Sequence, residues 1–154
     1  MDPSKKERRY QRLYDQIKKL IETSSNNELS NMATTVAVLH HKMETFFWTG
    51  FYLFNQGRLQ VGPYQGSLAC IDLPKDTGVC WAAINQDQTL VVPDVHEFPG
   101  HIACDARSRS EIVVPLKRGG KIIGVLDVDS KETDAFDRID AVWLEKIVSL
   151  VLID

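Results

Sequence analysis

The chain has 154 residues, of which 44% are hydrophobic and 25% charged, and a formal net charge of -3 at pH 7. This length and composition predict one globular domain that can bury a core without disulfide bonds. The charge favours neither nucleic acid nor an anionic membrane as a partner. No apolar run approaches the ~20 residues of a membrane span, and no apolar segment follows the charged N-terminus as in a signal peptide. We therefore expect a cytoplasmic protein, in which clustered cysteines are more often catalytic or metal-binding than structural.

Hydrophobic periodicity predicts helices before, between and after two hairpins. In chain order, the predicted elements are helices 4–23 and 28–43, strands 48–54 and 58–64, helix 78–85, strand 89–92, strands 111–116 and 121–128, and helix 134–151. Residues 66–76 and 93–110 are predicted to be loops. Strands joined by tight turns favour an antiparallel sheet flanked by the N-terminal and C-terminal helices, with long loops that close a small pocket. The prediction is an α+β fold in a single domain, residues 1–154.

The three cysteines fall within one stretch of the chain, each in a different local setting. Cys104 lies in a long polar loop with His101 and two arginines close in sequence, and nearby cations favour the reactive thiolate. It is therefore the best candidate nucleophile, although free cysteines are often buried and inert. Cys70 is placed on a loop and could swing towards Cys104 to form a disulfide. Cys80 has apolar neighbours, which favour a helix face against the core.

A zinc site is the rival interpretation of these residues. The three cysteines, with His96 or His101, could supply the ligands that structural zinc prefers. Such sites usually draw their ligands in close pairs such as Cys-x-x-Cys, however, and the cysteines here lie 10 and 24 residues apart. The spacing therefore disfavours a metal site.

Three carboxylates are predicted to converge on the sheet. Asp127 and Asp129 alternate along one strand, so they share a face with Val125, while Leu126 lies on the other face. Glu111 opens the partner strand of the same hairpin. Like charges this close raise at least one pKa and leave a protonated acid near neutral pH. A solvated sheet face is the alternative.

Two aromatic residues, Trp48 and Tyr52, lie four positions apart in a predicted strand and therefore share a face. Aromatic side chains on strands usually belong to the core. The functional alternative is a pocket wall that contacts a small apolar group of a ligand.

Five sequence runs together resemble the free methionine-R-sulfoxide reductase family, whose members have a GAF-type domain. The runs are 48–53, 62–66, 91–105, 110–115 and 124–130, and the resemblance covers roughly residues 30–152. The run around Cys104 is typical of that family rather than of GAF domains at large. One departure is Trp81, which stands where the family often has glycine.

The resemblance implies a role for each matching residue. Cys104 matches the catalytic cysteine that becomes a sulfenic acid, Cys70 the main resolving cysteine, and Cys80 a third cysteine that can assist recycling. The substrate-binding residues implied by the resemblance are the carboxylates and aromatics already described: Glu111, Asp127, Asp129, Trp48 and Tyr52.

The implied function is reduction of free L-methionine (R)-S-oxide through a sulfenic acid and an intramolecular disulfide that thioredoxin reduces. The resemblance implies no cofactor or metal. It suggests a homodimer, for which the N-terminal helix (residues 1–25) could supply the interface. The alternative is a GAF sensor that binds a small ligand without turnover. Such a sensor would normally be fused to an output domain and would not need three cysteines.

Overall fold

The structure, a computed structural model, describes residues 1–24, 26–101 and 104–153. Its helices are α1 (Pro3–Glu22), α2 (Glu28–Lys42), α3 (Gly78–Gln86) and α4 (Arg138–Val148). Its strands are β1 (Trp48–Asn55), β2 (Arg58–Gln65), β3 (Asp72–Leu73), β4 (Leu90–Val92), β5 (Ser110–Arg118) and β6 (Lys121–Ser130), and a 3₁₀ turn spans Val95–Glu97. Within the described ranges, no helix combines the length and apolar character needed to cross a bilayer.

The six strands form one sheet in the order β3-β2-β1-β6-β5-β4, and each neighbouring pair runs antiparallel. Tight turns explain this order, because the hairpins β1–β2 and β5–β6 close over two residues each. At the first turn, Gln56 and Gly57 both have positive φ, as a two-residue hairpin turn requires. The β1–β6 pairing joins the two hairpins into one sheet. The predicted α+β class and antiparallel sheet are confirmed.

Different elements of the domain pack against the two faces of the sheet. Leu126 and Val128 of β6 point to the face covered by α2 and α4, which holds the larger apolar core. Val125 points to the opposite face, where α3 and the loops enclose a second cluster that contains Trp48 and Tyr52. The alternation predicted for β6 is therefore confirmed, and it directs the alternating aspartates away from the main core.

Helix α1 packs against the rest of the domain rather than projecting from it. Its buried stripe, which includes Tyr10, contacts α2 and α4. Lys6 forms a buried ion pair with Asp140 of α4, and the Tyr10 hydroxyl donates to the same carboxylate at 2.5 Å. Asp140 is fully enclosed, so these donors offset the cost of burying its charge. The helix thus joins the main core, while association into a homodimer stays a prediction.

Most element limits differ from the prediction by one or two residues, and two elements differ more. The closing helix begins at Arg138, four residues later than predicted, because Asp137 caps it through a reciprocal capping box with Asp140. Asp134, the predicted first residue, has a positive φ that cannot start a helix. The predicted 66–76 loop contains the short edge strand β3, which pairs with Leu59 and Gln60 of β2. Two residues are too few to show strand periodicity.

We expect Gly124→Ala to destabilise the fold, because Gly124 lies where β6 crosses close to β1. A Cβ there would overlap the backbone carbonyl oxygen of Tyr52 and crowd Leu53. Overpacking of this kind typically costs ~1–3 kcal/mol, which urea unfolding would measure. Gly62→Ala is the control, because its Cβ would meet chiefly the Leu53 side chain, at 3.1 Å. Equal stability losses in the two variants would contradict the close approach at Gly124.

Candidate active site

One row of paired residues crosses three strands on the α3 side of the sheet. Glu111 of β5 lies opposite Asp129 of β6, and Asp129 lies opposite Trp48 of β1. Residues directly opposite one another in an antiparallel pair have Cβ atoms roughly 5 Å apart, so their side chains are neighbours. The register thus places two carboxylates beside an indole ring.

The next residues along the same face complete a pocket of about 570 Å³, part of which is open to solvent. Asp127 lies two positions before Asp129, and Tyr52 stacks on Trp48 with 5.7 Å between the ring centroids. All five residues that the resemblance assigned to substrate binding line this one pocket, as do Cys80 and Cys104. Their individual roles stay predictions. The structure supports them only in that it brings these residues together at one pocket.

Cys70 and Cys104 form a disulfide, with 5.5 Å between their Cα atoms. The two residues are 34 positions apart, and both lie in loops beside the pocket. Cys104 is exposed and lines the pocket, whereas Cys70 is half-buried. The structure therefore brings together the two cysteines that spacing left unassigned.

The aromatic wall also fixes the loop that carries Cys70. The Trp48 indole N–H donates to the Ser67 carbonyl oxygen at 3.0 Å, and the Tyr52 hydroxyl donates to the Cys70 carbonyl oxygen at 3.3 Å. The Ser67 hydroxyl in turn donates to Asp105 at 2.8 Å, which ties this loop to the Cys104 loop. These hydrogen bonds connect the loops that carry Cys70 and Cys104 to each other and to strand β1.

Cys80 is the free cysteine, and it is buried on helix α3. Its Sγ lies within 4.8 Å of carboxylate oxygens of both Glu111 and Asp127, so it faces the pocket rather than a purely apolar core. Trp81, the departure from the family pattern, is buried in the same apolar cluster. Its indole N–H donates to the Leu73 carbonyl oxygen at 3.1 Å, which anchors α3 to β3.

Burial and mutual repulsion shift the protonation of the pocket acids. Desolvation raises the pKa of Glu111 well above its ordinary value, and the neighbouring Asp127 and Asp129 raise it further. Desolvation also raises the pKa of Asp127, although Glu111 and Cys80 beside it counteract the shift. Burial raises the pKa of the Cys80 thiol well above its ordinary range, so this thiol stays protonated. Desolvation and the charge of Asp127 likewise raise the pKa of Asp129 well above its ordinary value. The pocket therefore favours protonated acid at Glu111 and at Asp129.

Some residues at the pocket lie outside the predicted catalytic and substrate-binding set, and His101 is one that the sequence offered only as a cation near Cys104 or as a zinc ligand. His101 contacts the acid cluster, with its Nε2 atom 3.8 Å from a Glu111 oxygen, and desolvation lowers the pKa of this imidazole. Asp105 pairs with Arg107 and bonds to Ser67. The start of α3 at Thr77 and Gly78 also lines the pocket.

The fold and the pocket define a GAF domain, and the GAF domain family matches residues 30–153. The chain is 48% identical over 147 residues to GAF domain-containing protein A of Dictyostelium discoideum, which covers 95% of this chain and 92% of that protein. It is 44% identical over 121 residues to the free methionine-R-sulfoxide reductase of Escherichia coli. That alignment covers 79% of this chain and 73% of that enzyme.

A solved structure of such a reductase also superposes closely on this chain. The X-ray structure of free methionine-R-sulfoxide reductase from Neisseria meningitidis in complex with its substrate superposes with a TM-score of 0.88 at 41% identity. The match covers 92% of this chain and 85% of that one. The chain belongs to the free methionine-R-sulfoxide reductase family. The identification of this family from sequence motifs is confirmed.

We expect oxidised protein, denatured and treated with a thiol-alkylating reagent, to gain one label, on Cys80. Cys70 and Cys104 are protected because they are bonded to each other. Peptide mass spectrometry reads the labelled residue directly, and prior reduction should expose all three thiols. A label on Cys70 or Cys104 together with a Cys80-containing disulfide would contradict the pairing.

Proposed function

We propose that this protein reduces free L-methionine (R)-S-oxide to methionine, with Cys104 as the nucleophile and Cys70 as the resolving thiol. The observation that carries the proposal is the Cys70–Cys104 disulfide beside a pocket that holds three carboxylates. The relatives from Escherichia coli and Neisseria meningitidis are named as reductases of this substrate. A sensor without turnover would not need a disulfide between a pocket cysteine and a neighbouring loop.

The proposed chemistry has two covalent steps. The Cys104 thiolate attacks the sulfoxide sulfur, the oxygen passes to the Cys104 sulfur with one proton from the site, and methionine leaves. The sulfoxide sulfur is thereby reduced by two electrons, and Cys104 is oxidised to a sulfenic acid. The Cys70 thiol then attacks the sulfenic sulfur, a disulfide forms and the oxygen leaves as water. The disulfide in the structure corresponds to the product of this second step.

Glu111 is the proposed proton donor. It is buried in the pocket wall, and the two neighbouring aspartates favour its protonated form through their negative charge. A carboxylic acid held neutral in this way can give its proton to the departing oxygen as a general acid. Asp127, whose pKa is raised less, then supplies negative charge for the substrate ammonium group, and Asp129 lines the same pocket beside Trp48.

The pocket suits a free amino acid rather than a residue in a chain. Helix α3 begins at the pocket, and its N-cap residue Thr77 makes no side-chain capping bond. Its first backbone N–H groups are thus available for an α-carboxylate, which the positive end of the helix dipole also favours. The stacked Trp48 and Tyr52 rings offer an apolar wall for the S-methyl end. Methionine sulfoxide within a polypeptide lacks both terminal charges.

Recycling requires an external dithiol, for which we propose thioredoxin. Cys104 is exposed, and the loop around Cys70 presents the exposed apolar side chains of Leu68 and Ile71. An attacking thiol can therefore approach the disulfide from solvent. Cys80 is held on a helix anchored by Trp81, so assistance by Cys80 would require α3 to move. The proposed steps need no cofactor or metal.

The direct test is turnover of the two epimers of free methionine sulfoxide, followed as NADPH oxidation in a thioredoxin-coupled assay. We expect turnover of the R epimer and none of the S epimer. Cys104→Ser should abolish turnover because it removes the nucleophile. Cys70→Ser should release about one methionine per protein and then stop, because the sulfenic acid is not resolved.

Two results would contradict this scheme. Absence of turnover with both epimers would refute the activity itself. Full activity of Cys104→Ser would refute the assigned nucleophile while leaving the reaction in place. Replacing thioredoxin with dithiothreitol distinguishes a defect in the reaction with the sulfoxide from a defect in reduction of the disulfide by thioredoxin.

We expect Glu111→Gln to lower kcat about 100-fold, because general acid catalysis typically contributes ~10²–10⁴ in rate and the amide cannot give up a proton. Single-turnover methionine release measures the chemical step without the recycling reaction. Glu97→Gln is the matched control, since Glu97 is exposed and lies outside the pocket. An unchanged rate of methionine release with only a raised KM would assign Glu111 to binding instead.

A further inference from the structure

We infer that the same pocket binds a zinc ion on Cys80, Glu111 and Asp127. The Cys80 Sγ and one carboxylate oxygen from each acid all lie within 4.8 Å of one another. All three residues are buried, and they come from three different elements, α3, β5 and β6. The sheet register and the packing of α3 therefore assemble the cluster before any ligand arrives.

An unpartnered oxygen points to a missing ligand. Asp127 is 6% exposed, and its Oδ1 atom has no hydrogen-bond partner among the described residues. Leaving a buried polar atom without a partner is unfavourable, so native proteins rarely do so unless something binds there. A small cation that enters from the open side of the pocket would satisfy this oxygen.

The donor set selects zinc among the common cations. Magnesium and calcium require six or more oxygen ligands, whereas zinc accepts a thiolate with carboxylates in a tetrahedral arrangement. Ideal bonds of ~2.3 Å to sulfur and ~2.1 Å to oxygen put tetrahedral ligand atoms roughly 3.4–3.6 Å apart. The cluster therefore closes around the ion with side-chain shifts of about an ångström.

This site differs from the zinc site weighed from the sequence. That site used all three cysteines, but Cys70 and Cys104 are bonded to each other. The site inferred here uses Cys80 alone with two acids that the sequence assigned to another role. It is complete while the disulfide is closed, so zinc can bind the oxidised protein.

Zinc and methionine sulfoxide would compete for this pocket, a consequence that rests on the proposed function. The ion would hold Glu111 and Asp127, which the proposed reaction uses to give a proton and to bind the ammonium group. Zinc would therefore act as a reversible inhibitor that a chelator removes. Binding of the ion itself depends only on the cluster and holds whether or not the protein turns over substrate.

The test uses untagged, oxidised protein, in which Cys80 is the free thiol. We expect one equivalent of Zn²⁺ to bind by calorimetry. Co²⁺, a spectroscopic substitute for zinc, should produce a sulfur-to-metal charge-transfer band in the near ultraviolet. Zinc should displace the cobalt and remove the band. Cobalt bound by histidines elsewhere gives no such band, so the signal reports a thiolate ligand.

Variants assign the ligands. Cys80→Ser should remove the band, and Asp127→Asn should keep the thiol but weaken zinc binding at least tenfold. Asp15→Asn, at an exposed position on α1, is the matched control and should bind as the unaltered protein does. Circular dichroism checks that each variant is folded.

Absence of the charge-transfer band from the unaltered, folded protein overturns the inference without any variant. A band that persists in folded Cys80→Ser overturns it as well. Because the oxidised protein is assayed without substrate, failure of the reductase assay leaves this result unaffected. Conversely, failure to bind zinc leaves the proposed reaction intact.

Discussion

The arrangement of the pocket depends on the register of strands β5, β6 and β1. Glu111, Asp129 and Trp48 are successive partners across these strands, and Asp127 and Tyr52 follow on the same face. A slip of one residue in β6 would turn both aspartates into the apolar core and bring Leu126 and Val128 into the pocket. The hydrophobic alternation of β6 excludes that slip, because it would bury two charges and expose apolar surface.

The residues of the site lie on two kinds of segment, the β-sheet and the loops beside it. The acids and aromatics lie on the sheet, where cross-strand hydrogen bonds fix their positions, whereas the two bonded cysteines lie on loops. An acid must be held at a defined distance from the oxygen that it protonates. A resolving thiol, by contrast, must approach and leave its partner during each cycle. Trp48 and Tyr52 link the two parts, since their ring faces line the pocket and their polar atoms hold the Cys70 loop.

Cys80 shows how burial changes what a cysteine can do. Its thiol shares the pocket with Glu111 and Asp127, and burial among these acids raises its pKa. The neighbouring negative charge that makes the thiol a poor nucleophile makes the cluster attractive to a cation. Trp81 reinforces this assignment, because its anchorage to Leu73 holds α3 in place beneath the acids. One helix thus contributes an apolar face, a pocket thiol and an open N-terminus.

Local sequence patterns predicted most of the elements because helix and strand periods follow from covalent geometry. They predicted the hairpin turns, the shared face of Asp127 and Asp129, and the long polar loop around Cys104. They placed the start of α4 four residues too early, because the capping pair Asp137–Asp140 decides that boundary. They also missed β3, whose two residues form a strand only because β2 is there to pair with them.

The sequence by itself determined the alternation of acid and apolar residues along β6, the aromatic pair in β1 and, through its motifs, the family. Tertiary structure decided which cysteine Cys104 bonds, the contact of His101 with Glu111, and the position of Cys80 among the acids. The reason is distance along the chain. Neighbours within a strand are fixed by bond lengths and dihedral angles, whereas residues tens of positions apart meet only through strand register and the packing of α3 on the sheet.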